Sequence, residues 1–132
     1  MSKRSIMVLF MAIAVFFAVS VPALAASSQN YSIVLPSMGQ DYFTSSKTVS
    51  AYKDFGVYHR YSGGKTIHFT VCDTAHNPLG AEVAIAPGGS SAPLVDLWYN
   101  SSSSSRTIVV KMETPWNCFV SVLAEGTWYW NY

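Results

Sequence analysis

Thr66-Ile67-His68-Phe69-Thr70-Val71-Cys72 is the stretch from which the fold is read. Ile67, Phe69 and Val71 fall on one face, and Thr66, His68 and Thr70 on the other. A period of two marks a strand with one buried and one wet face. Gly63-Gly64 before it and Asn77-Pro78 and Gly80 after it supply the turns that bound it.

The same pattern recurs outward in both directions. Toward the C-terminus, Glu82 to Ala86 alternates with Val83 and Ile85 inward. Leu94 to Tyr99 sets Val95, Leu97 and Tyr99 against Asp96 and Trp98, and Thr107 to Met112 gathers Ile108, Val110 and Met112. Cys118 to Ala124 reads as an apolar strand, with Glu125-Gly126 as a tight turn into a final strand, Thr127 to Tyr132. Toward the N-terminus, Tyr31 to Leu35, Val49 to Lys53 and Gly56 to Tyr61 read as strands. Pro87 to Ser91, the serine run after Asn100, and Pro115-Trp116-Asn117 read as loops and turns. No segment has a helical period. About eight to nine short strands at roughly ten-residue spacing predict an all-β fold, an antiparallel β-sandwich of jelly-roll or immunoglobulin-like type.

Residues 1–25 carry a different signal. Lys3 and Arg4 precede an apolar run from Ile6 to Val19, and Ala23 and Ala25 supply small residues for cleavage. The run is about fourteen residues, short of the roughly 20 that span a bilayer. The expectation is a cleaved secretory signal over 1–25 and a single secreted, extracellular domain over 26–132. No second apolar stretch of spanning length follows, so no transmembrane segment is expected after cleavage. Removing the signal leaves six basic and seven acidic residues, a net charge of −1. That balance argues against nucleic acid, which calls for a basic patch, and against a cationic membrane-disrupting peptide. Cys72 and Cys118 are the only cysteines. In an exported chain the expectation is one disulfide between them, closing about 47 residues and adding about 4 kcal/mol.

Little in the sequence points to catalysis. His59, His68 and His76 with Asp73 fit no closed zinc spacing, and Asp41, Asp54, Asp73 and Asp96 form no calcium loop. Glu82, Glu113 and Glu125 are the glutamates from which a glycosidase pair would come, but a chain this size has little room for a deep cleft. No Gly-x-Ser-x-Gly elbow is present. The expectation is no enzyme, no cofactor and no metal. Asn30-Tyr31-Ser32 and Asn100-Ser101-Ser102 match the N-glycosylation acceptor pattern.

Aromatic residues carry the functional reading. Eight Tyr, four Trp and four Phe remain after residue 25. In the last strand Trp128, Trp130 and Tyr132 share one face, and Tyr129 and Asn131 the other. One set is expected to lie exposed, as flat rings with polar handles suited to a sugar or a protein surface. The expected contact residues are Trp98, Tyr99, Trp116, Trp128 and Trp130, holding a cell-surface or extracellular glycan or protein. An exposed aromatic edge strand would also permit self-association.

In class, the alternating aromatic-rich pattern looks like small secreted carbohydrate-binding modules. A second resemblance is local. Tyr58-His59-Arg60-Tyr61-Ser62-Gly63-Gly64-Lys65-Thr66-Ile67-His68 and Trp128-Tyr129-Trp130-Asn131-Tyr132 resemble the Tyr/His/Gly/Lys-rich strand and aromatic C-terminus of lactococcin-type bacteriocins. The resemblance covers about twenty residues and leaves out both cysteines. It implies an alternative, a secreted bacteriocin-like or toxin-like antagonist of other cells.

Overall fold

Nine strands form two antiparallel sheets among residues 26–132, which the computed structural model describes. The expected signal segment lies outside the described residues. The strands are β1 (Ser27–Leu35), β2 (Tyr42–Phe43), β3 (Lys47–Val49), β4 (Asp54–Tyr61), β5 (Ile67–Cys72), β6 (Val83–Ile85), β7 (Leu94–Tyr99), β8 (Arg106–Glu113) and β9 (Val122–Trp130). One sheet has the order β1-β9-β4-β7. In the other, β2 and β3 both pair β8, followed by β5 and β6. A single 3-10 turn, Gly89–Ser91, leads into β7.

Alternation decides which side chains meet between the sheets. Tyr31 and Leu35 of β1, Phe55, Val57 and His59 of β4, and Val122, Ala124 and Trp128 of β9 point inward from the first sheet. Ile67, Phe69 and Val71 of β5 and Ile108, Val110 and Met112 of β8 answer from the second. The aromatic centre joins the two: Trp128 lies 4.4 Å from Tyr31, 5.8 Å from Phe55 and 5.9 Å edge-on from Phe69, centroid to centroid. Two sheets sharing one core in this way are compatible with a β-sandwich.

A buried polar chain crosses that core. Ser62 Oγ donates its one proton to the carbonyl of Lys65. It therefore accepts from His59 Nε2–H at 2.9 Å, which leaves His59 Nδ1 to accept the Tyr31 hydroxyl at 2.8 Å. β1, β4 and the turn after β4 are thereby tied together with no buried side-chain polar atom left unpaired among the described residues.

Several expectations need correction. Cys72 and Cys118 are both buried free thiols, and no disulfide joins them. In the β5–β8 ladder Cys72 lies opposite Val109, whereas His68 lies opposite Glu113, where β8 ends. Cys118 follows that end, so it lies at the opposite end of β5 from Cys72. Four ladder positions alone span about 13 Å, beyond the roughly 7 Å that a disulfide bridges. Glu125-Gly126 is no turn: β9 runs unbroken through it and starts only at Val122. Gly126 is there for space, since a Cβ would collide with the Tyr31 ring and the Tyr58 carbonyl. β9 is also no edge strand, because β1 covers one side of it and β4 the other.

Two predictions follow from this core. Thiol titration should find two cysteines only after denaturation, and reductant should leave the melting temperature unchanged; a fall of several degrees would restore the disulfide. Burial also holds the His59 imidazole neutral, with its pKa lowered from 6.5 to about 4. The unfolded chain binds this proton near pH 6.5 and the folded one only near pH 4. Stability is therefore full above pH 6.5 and falls with acidification toward pH 4, by on the order of 3 kcal/mol. Urea midpoints at pH 7 and pH 5 should differ in the native protein, and differ less in His59→Gln.

Candidate functional site

The five expected contact residues are dispersed by the fold. Trp128 is 2% exposed and forms the centre of the core. Trp130 is half-buried against that core, with the Lys47 ammonium 5.9 Å from its ring. Trp98 also packs on the core, contrary to its expected outward position. The cause is a β-bulge: the β4–β7 register steps from Phe55↔Trp98 to Gly56↔Asp96, skipping Leu97. The extra residue reverses the alternation, which leaves Tyr99 about half-exposed at the strand end. Tyr132 leaves the face of Trp128 and Trp130 for a comparable reason. Asn131 takes φ +64°, and the Tyr132 hydroxyl reaches Asp96 on the outer side of the sheet.

Trp116 alone among the five presents most of its ring to solvent, at 80% exposure. Its loop is held firmly. Cys118 N–H closes a turn onto the Pro115 carbonyl at 2.9 Å, and Met38 N–H donates to the Cys118 carbonyl at 2.6 Å. Thr114 Oγ1 donates to the Pro36 carbonyl at 2.9 Å and accepts Gly39 N–H at 3.2 Å. The segment after β1 is thus latched to the segment after β8. Gly39, at φ +67°, brings its backbone against Trp116.

Between this latch and the outer face of the second sheet lies a cleft of about 420 Å³. Trp116 and Met38 form its apolar side, and His68, Glu82 and Glu113 its polar side. His68 and Glu113 are ladder partners on the outer face of β5 and β8, half-buried at the end where that face is open, while Thr70, Cys72 and Val109 further along it are buried. His68 Nδ1 lies 3.2 Å from Glu82 Oε2, and Lys111 Nζ lies 2.9 Å from Glu113 Oε1. The hydrogen bond to Glu113 raises the Lys111 pKa and so keeps its ammonium charged. The arrangement offers carboxylate acceptors beside a flat ring. The sequence placed His68 on a wet face, but only the register brings it beside Glu113.

Among the described residues no three His, Cys, Asp or Glu side chains gather as a metal site, and no helix is long and apolar enough to cross a membrane. Asn100 is an internal fastener: its buried amide donates to the Val49, Ser50 and Ser104 carbonyls at 3.0–3.1 Å. That leaves no nitrogen free for a glycan at this acceptor triplet.

Trp128→Ala should cost about 3–5 kcal/mol in denaturant unfolding, as large core deletions do. Trp116→Ala should stay within about 0.5 kcal/mol of the parent. Equal losses would reverse these assignments. No family model, curated protein or solved structure matches the chain.

Proposed function

We propose that this chain is a secreted, non-enzymatic recognition domain that holds a cell-surface glycan against Trp116. The observation that carries the reading is the 80%-exposed Trp116 ring forming one side of a cleft whose other side offers Glu82, Glu113 and His68. A sugar presents an apolar C–H face and a rim of hydroxyls. The ring takes the first by stacking, and the carboxylates take the second as strong acceptors. The latch under Trp116 supports the reading too, because a pre-set ring loses little freedom on binding.

Strand order adds support at the level of fold. With β2 and β3 counted as one interrupted strand, the sheets read β1-β9-β4-β7 and β2/β3-β8-β5-β6. The chain crosses between sheets at nearly every connection, which favours a jelly roll over an immunoglobulin-like arrangement. Lectin domains are among the users of jelly rolls, though a fold alone does not assign a ligand.

The antagonist reading has one observation of its own. Phe119, three residues after Trp116, is 75% exposed, with Val120 and Met38 also exposed, and residues 114 to 124 carry no charge. An uncharged apolar tip bearing a tryptophan suits a lipid interface.

The test is sedimentation of the purified protein with isolated cell walls, insoluble polysaccharides and liposomes. Saturable binding to walls or polysaccharides, lost in Trp116→Ala and kept in Trp98→Phe, is the expected result. Binding to liposomes alone, with growth inhibition at micromolar dose, would replace recognition by antagonism.

A further inference from the structure

A second opening lies on the flank of the molecule, away from Trp116. It is a crevice of about 280 Å³ reached between β1 and the β2/β3 edge. Gln29, Tyr42, Thr44 and Lys47 line it, and at its inner end it meets Tyr31 and Trp128. Lys47 is the unusual member. It is 7% exposed, and its ammonium makes one long hydrogen bond, to the Ser45 carbonyl at 3.4 Å, besides its position over Trp130. An ammonium has three protons to place. The two ion pairs among the described residues, His68–Glu82 and Lys111–Glu113, leave Lys47 with no carboxylate, and residues 1–25 contain no Asp or Glu. Burial lowers its pKa accordingly. A buried charge without a counter-charge is destabilising, so an anion that reached Lys47 would find an uncompensated partner there.

The rest of the crevice narrows the choice of anion. Gln29 lies opposite Trp128 in the β1–β9 ladder, on the inward side of its strand. Gln29 is itself exposed, so its amide, which joins no hydrogen bond among the described residues, can turn a donor or an acceptor to a ligand in place of water. The Tyr31–Trp128 stack closes the inner end with an aromatic surface. The volume suits a single small ring better than an extended chain.

We propose that this crevice binds one acidic sugar residue. Lys47 takes the carboxylate, the Gln29 amide takes hydroxyls, and the aromatic end meets the apolar face of the ring. The site is separate from the Trp116 cleft and does not depend on it.

The test is calorimetric titration of the purified protein with glucuronate, glucose, benzoate and inorganic phosphate. Glucuronate should bind saturably and glucose should bind about tenfold more weakly or not at all, since a buried charge pair is lost. Lys47→Met should lose a similar factor for glucuronate while its unfolding midpoint stays at or above that of the parent. Trp116→Ala should leave glucuronate binding unchanged, which separates this site from the glycan cleft. In the native protein, glucuronate should shift the NMR signals of the Gln29 side chain and the Trp128 indole, a readout that needs no variant. Unchanged binding by Lys47→Met overturns the proposal, as does glucose binding as tightly as glucuronate. Benzoate or phosphate binding as tightly as glucuronate overturns the sugar assignment. No glucuronate binding at millimolar concentration, or shifts centred on Trp116, also overturns it.

Discussion

The missing side chain of Gly126 is the constraint from which the interior follows. With no Cβ at that point of β9, the Tyr31 ring lies directly against the strand backbone. From there Tyr31 stacks on Trp128 and extends its hydroxyl to His59. His59 in turn reaches Ser62, and Ser62 reaches Lys65. Any larger residue at 126 would displace the Tyr31 ring, and with it both the aromatic stack and the polar chain that fixes the turn after β4. In a close-packed interior such a displacement is not absorbed locally.

Both proposed sites are by-products of how that interior is closed. The cleft at Trp116 exists because the segments after β1 and after β8 are fastened to each other through Thr114 and Gly39, which lifts the tryptophan clear of the core. The flank crevice exists because β2 and β3 are short and interrupted, so the second sheet does not cover β1 along its full length. Binding surfaces arise here where regular pairing stops, at a latch and at a broken edge.

Local pattern made the strands legible. The alternation around Ile67, Phe69 and Val71, around Ile108, Val110 and Met112, and around Tyr31 and Leu35 locates the inward face, but the expected wet face of β5 and β8 is partly covered, since Thr70, Cys72 and Val109 are buried too. Three features were not legible, each because it depends on a distant partner. Gly126 looks like a turn residue in sequence, and only the proximity of Tyr31 shows it to be a strand residue making room. Trp98 looks outward until the bulge opposite Phe55 reverses the phase. Cys72 and Cys118 look like a pair until the β5–β8 register sets them at opposite ends. The candidate site divided the same way. An aromatic-rich chain suggested a ring platform, but which tryptophan is free depends on sheet order, since β9 lies inside its sheet.

The pairing of β1 with β9 joins Ser27 to Trp130, nearly the full length of the described chain. Among the described residues β1 has no other strand partner. Of the described strands, β1 therefore has nowhere to dock until β9 has been made, and the Tyr31–Trp128 centre of the core must wait with it. Such non-local closure makes folding slow compared with a chain of hairpins.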